Sequence, residues 1–264
     1  MRSIWVPALL AVLLSGCTTL PNGRGWGQDA TLFPGFKKIG HAALNSLRDP
    51  DVWIPVVGTA VFSIDDWDEN VSIWATDHAP IFGTPENAGT ASDYLKASLI
   101  VAAGTTALLT PSGEDPKTWT MSKFKGLTVE TAAFFSTSRL TNDIKRWSGR
   151  HRPNGDEGSF PSMHSSQAHV SSKLAIRNLE SLPLSERART YYATGFRTLA
   201  AMTAWARIEK NKHYPSDVLV GAALGNFLGG FIQEAFMGLE DEEYLKLTFI
   251  PTEDGPIYLL RIKL

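Results

Sequence analysis

Apolar residues along this chain recur mostly at helical spacing. They repeat three and four residues apart over seven stretches, and glycine, proline and asparagine clusters separate one stretch from the next. The predicted helices are Phe36–Leu47, Val52–Ile64, Ala91–Leu109, Thr118–Trp147, Ser162–Leu179, Ser185–Arg207 and Ser216–Met237. Ser162 and Ser216 each follow a proline, which makes them candidate N-caps. The pattern predicts an all-α helical bundle.

The C-terminal residues have a different pattern. Tyr244–Ile250 and Ile257–Ile262 are rich in β-branched, aromatic and other apolar residues, and they flank the turn-forming sequence Pro-Thr-Glu-Asp-Gly-Pro. We therefore expect a small β-hairpin over about 244–262.

The first residues have the composition of a signal peptide. Arg2 precedes an apolar run from Ile4 to Leu14, and Leu14-Ser-Gly-Cys17 follows as a cleavage site. Cleavage before Cys17 removes residues 1–16 and leaves 248 residues, which is the size of one domain. Residues 17–34 have no periodicity and are expected to form a tether, with a single helical domain over 35–264.

Cys17 is the only cysteine in the sequence. A disulfide needs two cysteines and a cysteine-rich zinc site needs several, so a single cysteine excludes both within this chain. Leu-Ser-Gly-Cys resembles the lipobox of bacterial lipoproteins, which implies that Cys17 is acylated. Thr18 follows it, in place of the aspartate associated with inner-membrane retention, so the resemblance implies an anchor on the periplasmic face of the outer membrane in a Gram-negative host. An ordinary secreted protein is the alternative.

Two later uncharged runs, Ala97–Gly113 and Val218–Ile232, are short for a membrane span. A helix of 15 residues covers about 23 Å, whereas the apolar part of a bilayer is about 30 Å thick. Both runs fit the core of a bundle better. The mature chain would carry a net charge of −3, which argues against a nucleic-acid partner.

Within this weakly acidic chain, residues 145–153 are strongly basic. They contain four basic residues and no acidic one, so we expect an anion to bind near them. The four are Lys145, Arg146, Arg150 and Arg152. Phe-Pro-Ser-Met-His, ending at His164, then predicts a helix start, where free N–H groups favour phosphate and a histidine can move a proton.

A third cluster has Arg207, His213 and Asp217 in the order Arg-x5-His-x3-Asp. Pro215 places His213 in a loop and Asp217 in the first turn of the next helix. The carboxylate can then orient the imidazole as a nucleophile, while Arg207 adds a bidentate phosphate contact. Each of the three clusters, taken alone, is also compatible with a structural role.

Together and in this order, Lys-x6-Arg-Pro, Pro-Ser-x-His and Arg-x5-His-x3-Asp resemble the signature of the type 2 phosphatidic acid phosphatase superfamily. Class A bacterial acid phosphatases and vanadate-dependent haloperoxidases belong to the same superfamily. The resemblance implies a helical bundle and metal-independent hydrolysis of a phosphomonoester or diphosphate, with no cofactor. Its substrate would be a lipid phosphate or a small phosphoester.

The resemblance also implies roles for individual residues. His213 would attack phosphorus to give a phosphohistidine, Asp217 would orient it, and His164 would protonate the leaving oxygen. The residues expected to hold the phosphate oxygens are Lys145, Arg152, Ser162, Met163 and Arg207.

Two positions depart from the family pattern. Met163 replaces a glycine and retains its N–H group, and Ala206 replaces a serine and lacks its hydroxyl. Two alternatives stay open. One is a vanadate-dependent haloperoxidase with the same pocket, and the other is a non-catalytic envelope lipoprotein that binds phospholipid through a degenerate site, of which these departures would be the sign.

Overall fold

The structure, a computed structural model, describes residues 18–239 and the two strands at 245–250 and 257–262. Within these residues the fold is a helical bundle followed by a small hairpin. The helices are α1 (Phe36–Arg48), α2 (Pro50–Phe62), α3 (Trp67–His78), α4 (Pro85–Leu109), α5 (Pro116–Ser148), α6 (Met163–Glu180), α7 (Glu186–Glu209) and α8 (Pro215–Met237). Strands β1 (Leu245–Ile250) and β2 (Ile257–Ile262) pair antiparallel, with Leu245 opposite Ile262. The predicted all-α bundle with a terminal hairpin is confirmed.

Helix α6 forms the centre of the bundle and packs against α4, α5, α7 and α8. Almost every residue from Ser165 to Leu179 is buried. The contact with α8 is especially close, because Gly221 and Gly225 have no side chains. A Cβ on Gly221 would lie 2.6 Å from the Ser162 carbonyl oxygen, and one on Gly225 would lie 2.4 Å from that of Ser166. This close approach fixes the start of α6 beside the start of α8.

The helix boundaries differ from the predicted ones in three places. Helix α3 was not predicted, because its polar first turn and scattered apolar residues give no clear stripe. Helix α4 begins at Pro85, six residues earlier than expected, with the Thr84 side chain accepting the Asn87 N–H. Ser216 is not an N-cap: Pro215 is the first helical residue of α8 and Tyr214 is its N-cap.

The expectation of a free tether over 17–34 is wrong for part of that segment. Trp26 is fully buried against α5, in a space that exists because Gly126 has no side chain. The Lys123 ammonium lies 5.1 Å from the centre of the indole ring. The carbonyl of Thr18 accepts the N–H of Gly113, in the loop between α4 and α5. The proposed signal peptide and Cys17 lie outside the described residues.

Helix α2 is apolar but largely exposed. No charged residue occurs from Val52 to Ile64, and only Val52 of this helix is buried. Its exposed large side chains are Trp53, Ile54, Val56, Val57 and Val61. Helix α4 likewise buries one face and exposes Ile100, Val101 and Leu108, so the run at 97–113 is not wholly core. Among the described helices, α8 alone is long and apolar enough to cross a membrane, and most of it is buried in the bundle.

Candidate active site

The three predicted clusters meet where four helices end or begin. Lys145 lies in the last turn of α5, His164 in the first turn of α6, Arg207 near the end of α7 and Asp217 in the first turn of α8. The N–H of Ser162 donates to the Asp217 carbonyl at 3.0 Å and thereby joins the second cluster to the third.

His213 and Asp217 form a buried pair. The His213 side chain is 3% exposed and that of Asp217 is 0% exposed. Imidazole Nδ1 lies 3.6 Å from Asp217 Oδ2, which is longer than a hydrogen bond. The pKa of His213 is lowered to about 4; burial is the largest cause, Asp217 opposes it, and the charges of Lys145 and Arg207 add to it. His213 is therefore neutral at pH 7, as a nucleophile requires.

The Asp217 carboxylate is held by several donors. Its Oδ2 accepts from the Ser159 hydroxyl at 2.5 Å and from the Tyr214 N–H at 2.9 Å. Its Oδ1 accepts from Arg150 Nη1 at 2.9 Å. Burial alone would raise the pKa of Asp217, but His213, Arg150 and Ser159 lower it below its ordinary value. The carboxylate is therefore a fixed negative charge beside the imidazole.

Arg150 has a role that the sequence did not reveal. Besides Asp217, it donates to the Ser216 hydroxyl at 2.8 Å and to Asp68 Oδ2 at 2.7 Å, and it lies 4.2 Å from the centre of the Tyr214 ring. Arg150 lies in the basic segment 145–153, but the spacing of that segment does not indicate which arginine binds a carboxylate and which binds phosphate. Asp68 lies on the unpredicted helix α3.

The three expected phosphate-binding cations form one group, in which Lys145 and Arg207 act on His213 and Arg152 acts on both of them. Lys145 Nζ donates to the carbonyls of Gly158 at 2.6 Å and Ser159 at 3.2 Å. Its pKa falls to about 8, mainly through burial and also through the nearby charges of Arg152 and Arg207. The direction of this shift is the one expected for positive charges near one another, an arrangement that favours a bound anion.

Arg207 retains an unused donor. Its Nη1 donates to the Ser92 hydroxyl at 3.1 Å, whereas its buried Nε has no hydrogen-bond partner among the described residues. Burial lowers its pKa, since water is excluded from the guanidinium. A buried N–H without a partner is costly, so an oxygen atom of a ligand would stabilise it.

The start of α6 is a capped helix N-terminus. Ser162 is fully buried and caps the helix through its side chain, which accepts the Ser165 N–H. Met163 is the first helical residue and is half-buried. Its N–H, with those of the rest of the first turn, carries the partial positive charge of the helix end. Ala206 is fully buried, so its missing hydroxyl leaves no exposed gap.

His164 contacts two residues from α4 that the sequence did not connect with the site. Its Nε2 lies 2.8 Å from Asp93 Oδ1 and 3.2 Å from Lys96 Nζ. The pKa of His164 is lowered to about 4; burial is the largest cause, the charges of Arg207 and Lys96 act in the same direction, and Asp93 opposes them. Asp93 and Lys96 are about 70 residues away in sequence, so no local pattern could identify them.

This arrangement can perform phosphoryl transfer. It offers a neutral buried imidazole, a second imidazole with a carboxylate partner, three cations and a helix start. No group of three or more potential metal ligands occurs among residues 18–239.

Part of the chain is similar to known proteins. Residues 136–237 match the sequence model of the PAP2 superfamily, the family that the three motifs resemble. Over 91 residues, the chain is 39% identical to a protein named lipid A 1-phosphatase from Porphyromonas gingivalis. That match covers 34% of this chain and spans about a fifth of the relative, 19% of its length.

The fold has a counterpart among solved structures. The crystal structure of a transmembrane PAP2-type phosphatidylglycerolphosphate phosphatase from Bacillus subtilis superposes with a TM-score of 0.53 and 21% sequence identity. The superposition covers 70% of this chain and 92% of that chain. The part of the chain that holds every residue expected at the site, residues 136–237, is thus the part that matches the PAP2 superfamily.

Proposed function

We propose that this chain is a membrane-associated phosphatase that removes a phosphoryl group from a phosphorylated lipid, present as a monoester or diphosphate. The observation that carries the proposal is the neutral, buried His213, which precedes α8 near the charges of Lys145 and Arg207, with the start of α6 joined to Asp217. The names of the two relatives, both phosphatases of lipid phosphates, support a lipid as the substrate.

In the first step, one nitrogen of His213 attacks phosphorus and forms a P–N bond. The P–O bond to the leaving group breaks, and its electron pair goes to the leaving oxygen, which takes a proton from His164. Asp217 stabilises the positive charge that develops on His213. Because His164 is neutral in the empty site, we propose that the negative charge of the bound substrate raises its pKa and supplies the protonated form.

In the second step, His164 accepts a proton from water, and the water oxygen attacks the phosphohistidine. Phosphate and free His213 result. Throughout, Lys145, Arg152 and Arg207, with the Met163 N–H in the first turn of α6, hold the non-bridging oxygens. Three fixed cations can balance the charge of the transition state, so we expect activity to persist in EDTA.

Membrane association is supported by the exposed apolar surface of α2. A helix that is apolar on all sides is normally buried in protein or lipid, yet α2 exposes most of its large side chains. We further propose that residues 1–16 are removed, that Cys17 is acylated and that residues 35–264 form one domain on the periplasmic face of the outer membrane. Radiolabelled palmitate should label the wild-type protein in cells but not Cys17→Ala.

The mechanism is tested by trapping the phosphoenzyme. The purified protein is mixed with a lipid [32P]phosphomonoester in detergent and quenched within milliseconds under alkaline conditions, where phosphohistidine survives. Wild type should give a transient protein-bound label, His213→Ala should give neither label nor turnover, and His164→Ala should accumulate label. His41→Ala, an exposed histidine on α1, is the matched control.

Equal turnover by wild type and His213→Ala would refute the proposed function. Binding of inorganic phosphate without any turnover would favour the non-catalytic alternative. Peroxide-dependent bromination that requires added vanadate would favour the haloperoxidase.

A further inference from the structure

Helix α1 carries a stripe of apolar side chains that face away from the bundle. Phe36, Leu44 and Leu47 lie within about a quarter of the helix circumference, given 3.6 residues per turn. Phe36 is 94% exposed, Leu44 51% and Leu47 56%. The buried residues of this helix are the small Ala42 and Ser46, which lie on another face. The large apolar side chains of α1 therefore add little to the core of the bundle.

The permanently charged side chains of α1 are all basic. Lys37 and Arg48 are exposed and border the apolar stripe on the side of Leu44, whereas Lys38 lies on the opposite side of the helix and is half-buried. The helix contains no acidic residue, although the whole chain has a net charge of −2. A partner of this surface must therefore offer negative charge beside an apolar phase.

The apolar stripe continues into a groove between α1, α2 and α8. The groove has a volume of about 290 Å³, and no charged side chain of the described residues lines it. Leu47 lines it from α1, Val56 from α2, and Leu224 and Phe227 from α8. Because Val56 also belongs to the exposed apolar side chains of α2, the two helices form one continuous apolar surface.

We propose that this surface docks the protein on a membrane that contains anionic phospholipid. Helix α1 lies in the plane of the membrane interface, with its apolar stripe among the acyl chains and an acyl chain in the groove. The long side chains of Lys37 and Arg48 extend to the lipid phosphates. The inference rests on the membrane association proposed above, and it names the helix and the lipid charge that produce it.

Charge favours lipid over a second copy of the chain as the occupant. Two copies that met through α1 would bring the same basic residues together, with no acidic residue on either helix. Lipid phosphates would instead neutralise Lys37 and Arg48, and acyl chains suit a groove that is lined without charge.

The docking surface lies far from the candidate active site. Asn45, on α1, donates to the Glu234 carboxylate at 2.6 Å near the end of α8, whereas Asp217 lies in the first turn of α8. The 17 residues from Asp217 to Glu234 span about 26 Å at 1.5 Å per residue. Changes on α1 should therefore alter contact with the membrane and leave turnover in detergent unchanged.

The contact can be measured at Gly40, which lies within the apolar stripe and where a Cβ would meet nothing within 4 Å. The full chain is prepared as Cys17→Ser with Gly40→Cys, labelled with an NBD fluorophore and reconstituted into vesicles. One set of vesicles contains phosphatidylglycerol and phosphatidylcholine, and the other contains phosphatidylcholine alone. Gly195→Cys on α7, which is also exposed and equally open at its Cβ, is the matched control. Residues 1–17 are the same in every sample, so they cannot cause a difference between variants.

In vesicles with phosphatidylglycerol, a lipid that carries a nitroxide on its acyl chain should quench the label at position 40, and aqueous iodide should quench the label at position 195. Lys37→Gln/Arg48→Gln should lower the ratio of lipid-immersed to water-exposed label at position 40 by about 30-fold, since each basic residue near an anionic surface contributes a factor of about five. Lys38→Gln, on the other side of the helix, should change this ratio by about twofold or less.

Quenching of position 40 by iodide in both sets of vesicles, or equal quenching by the nitroxide lipid in both sets, would overturn the proposal. Protection of position 40 from both quenchers would mean that protein covers the stripe, either a second copy or another part of the chain, and would also overturn it. These outcomes leave the proposed function standing, because turnover of a lipid phosphate in detergent tests that function separately.

Discussion

Gly221 offers a direct test of whether the close contact between α6 and α8 sets the catalytic geometry. In Gly221→Ala the new Cβ would lie 2.6 Å from the Ser162 carbonyl oxygen and 3.0 Å from Ser165 Cβ. Ordinary contact begins at 3.4 Å, so the start of α6 must move from α8 by about 0.8 Å. Ser162 caps α6 and also hydrogen-bonds to Asp217, so the displacement acts on the phosphate cradle and the nucleophile pair together.

The matched control is Gly104→Ala in the middle of α4, where a Cβ meets nothing within 4 Å. Both variants gain the same helix propensity, about 0.5–1 kcal/mol, so their difference isolates the cost of overpacking. We expect Gly221→Ala to be less stable than Gly104→Ala by about 1–3 kcal/mol. Its kcat/KM should fall about 10- to 100-fold, as expected for a displacement approaching 1 Å.

Urea unfolding followed by circular dichroism in detergent measures the first quantity, and hydrolysis of a lipid phosphate measures the second. If Gly221→Ala has the stability and the kcat/KM of Gly104→Ala, the close contact does not position the site.

Three further predictions concern the charges around the histidines. By NMR of the empty protein, His164 should have a pKa of about 4. Its pKa should be lower in Asp93→Asn, because Asp93 raises it, and higher in Lys96→Met, because Lys96 lowers it. A wild-type pKa near 6.5 would contradict this. Because unfolded histidine binds a proton below about pH 6.5 and folded His164 does not until about pH 4, the free energy of unfolding should decrease as pH falls through that interval, as measured by urea midpoints. Arg150→Met should lower kcat about 10- to 100-fold with little change in KM, because it removes a hydrogen bond to Asp217 and no contact with the substrate. The control Arg146→Met removes a surface ion pair with Asp143 and should change kcat by no more than about twofold. Equal losses of kcat in both variants would refute the role of Arg150.

Local signals in the sequence predicted most of the bundle and the centre of the site. Pro215 determined that His213 precedes a helix and Asp217 lies in its first turn, and Ser162 was identified as an N-cap. These predictions succeeded because proline geometry and capping act over a few residues.

The partners of these residues come from distant parts of the chain. Asp68 reaches Arg150 from α3, and Asp93 and Lys96 reach His164 from α4, through contacts that depend on how whole helices pack. Trp26 was missed for the same reason, since its pocket is created by the absence of a side chain at Gly126 on α5. Such tertiary contacts leave no periodic trace in a single sequence.

The hydrogen bond between Thr18 and Gly113 determines how far the candidate site would lie from the lipid anchor that we propose at Cys17. Gly113 lies between the end of α4 and the start of α5, whereas Asp93 and Lys145 lie toward the opposite ends of those helices. At 1.5 Å per residue, the separation is about 24 Å along α4 and about 44 Å along α5. Cys17 is the neighbour of Thr18. If the helices stood perpendicular to the membrane, an acyl group on Cys17 would therefore leave the active site about a bilayer's thickness away from the lipids of that membrane. To act on those lipids, as we propose, the molecule must lie with the side of the bundle against the membrane surface and with its long axis parallel to the membrane.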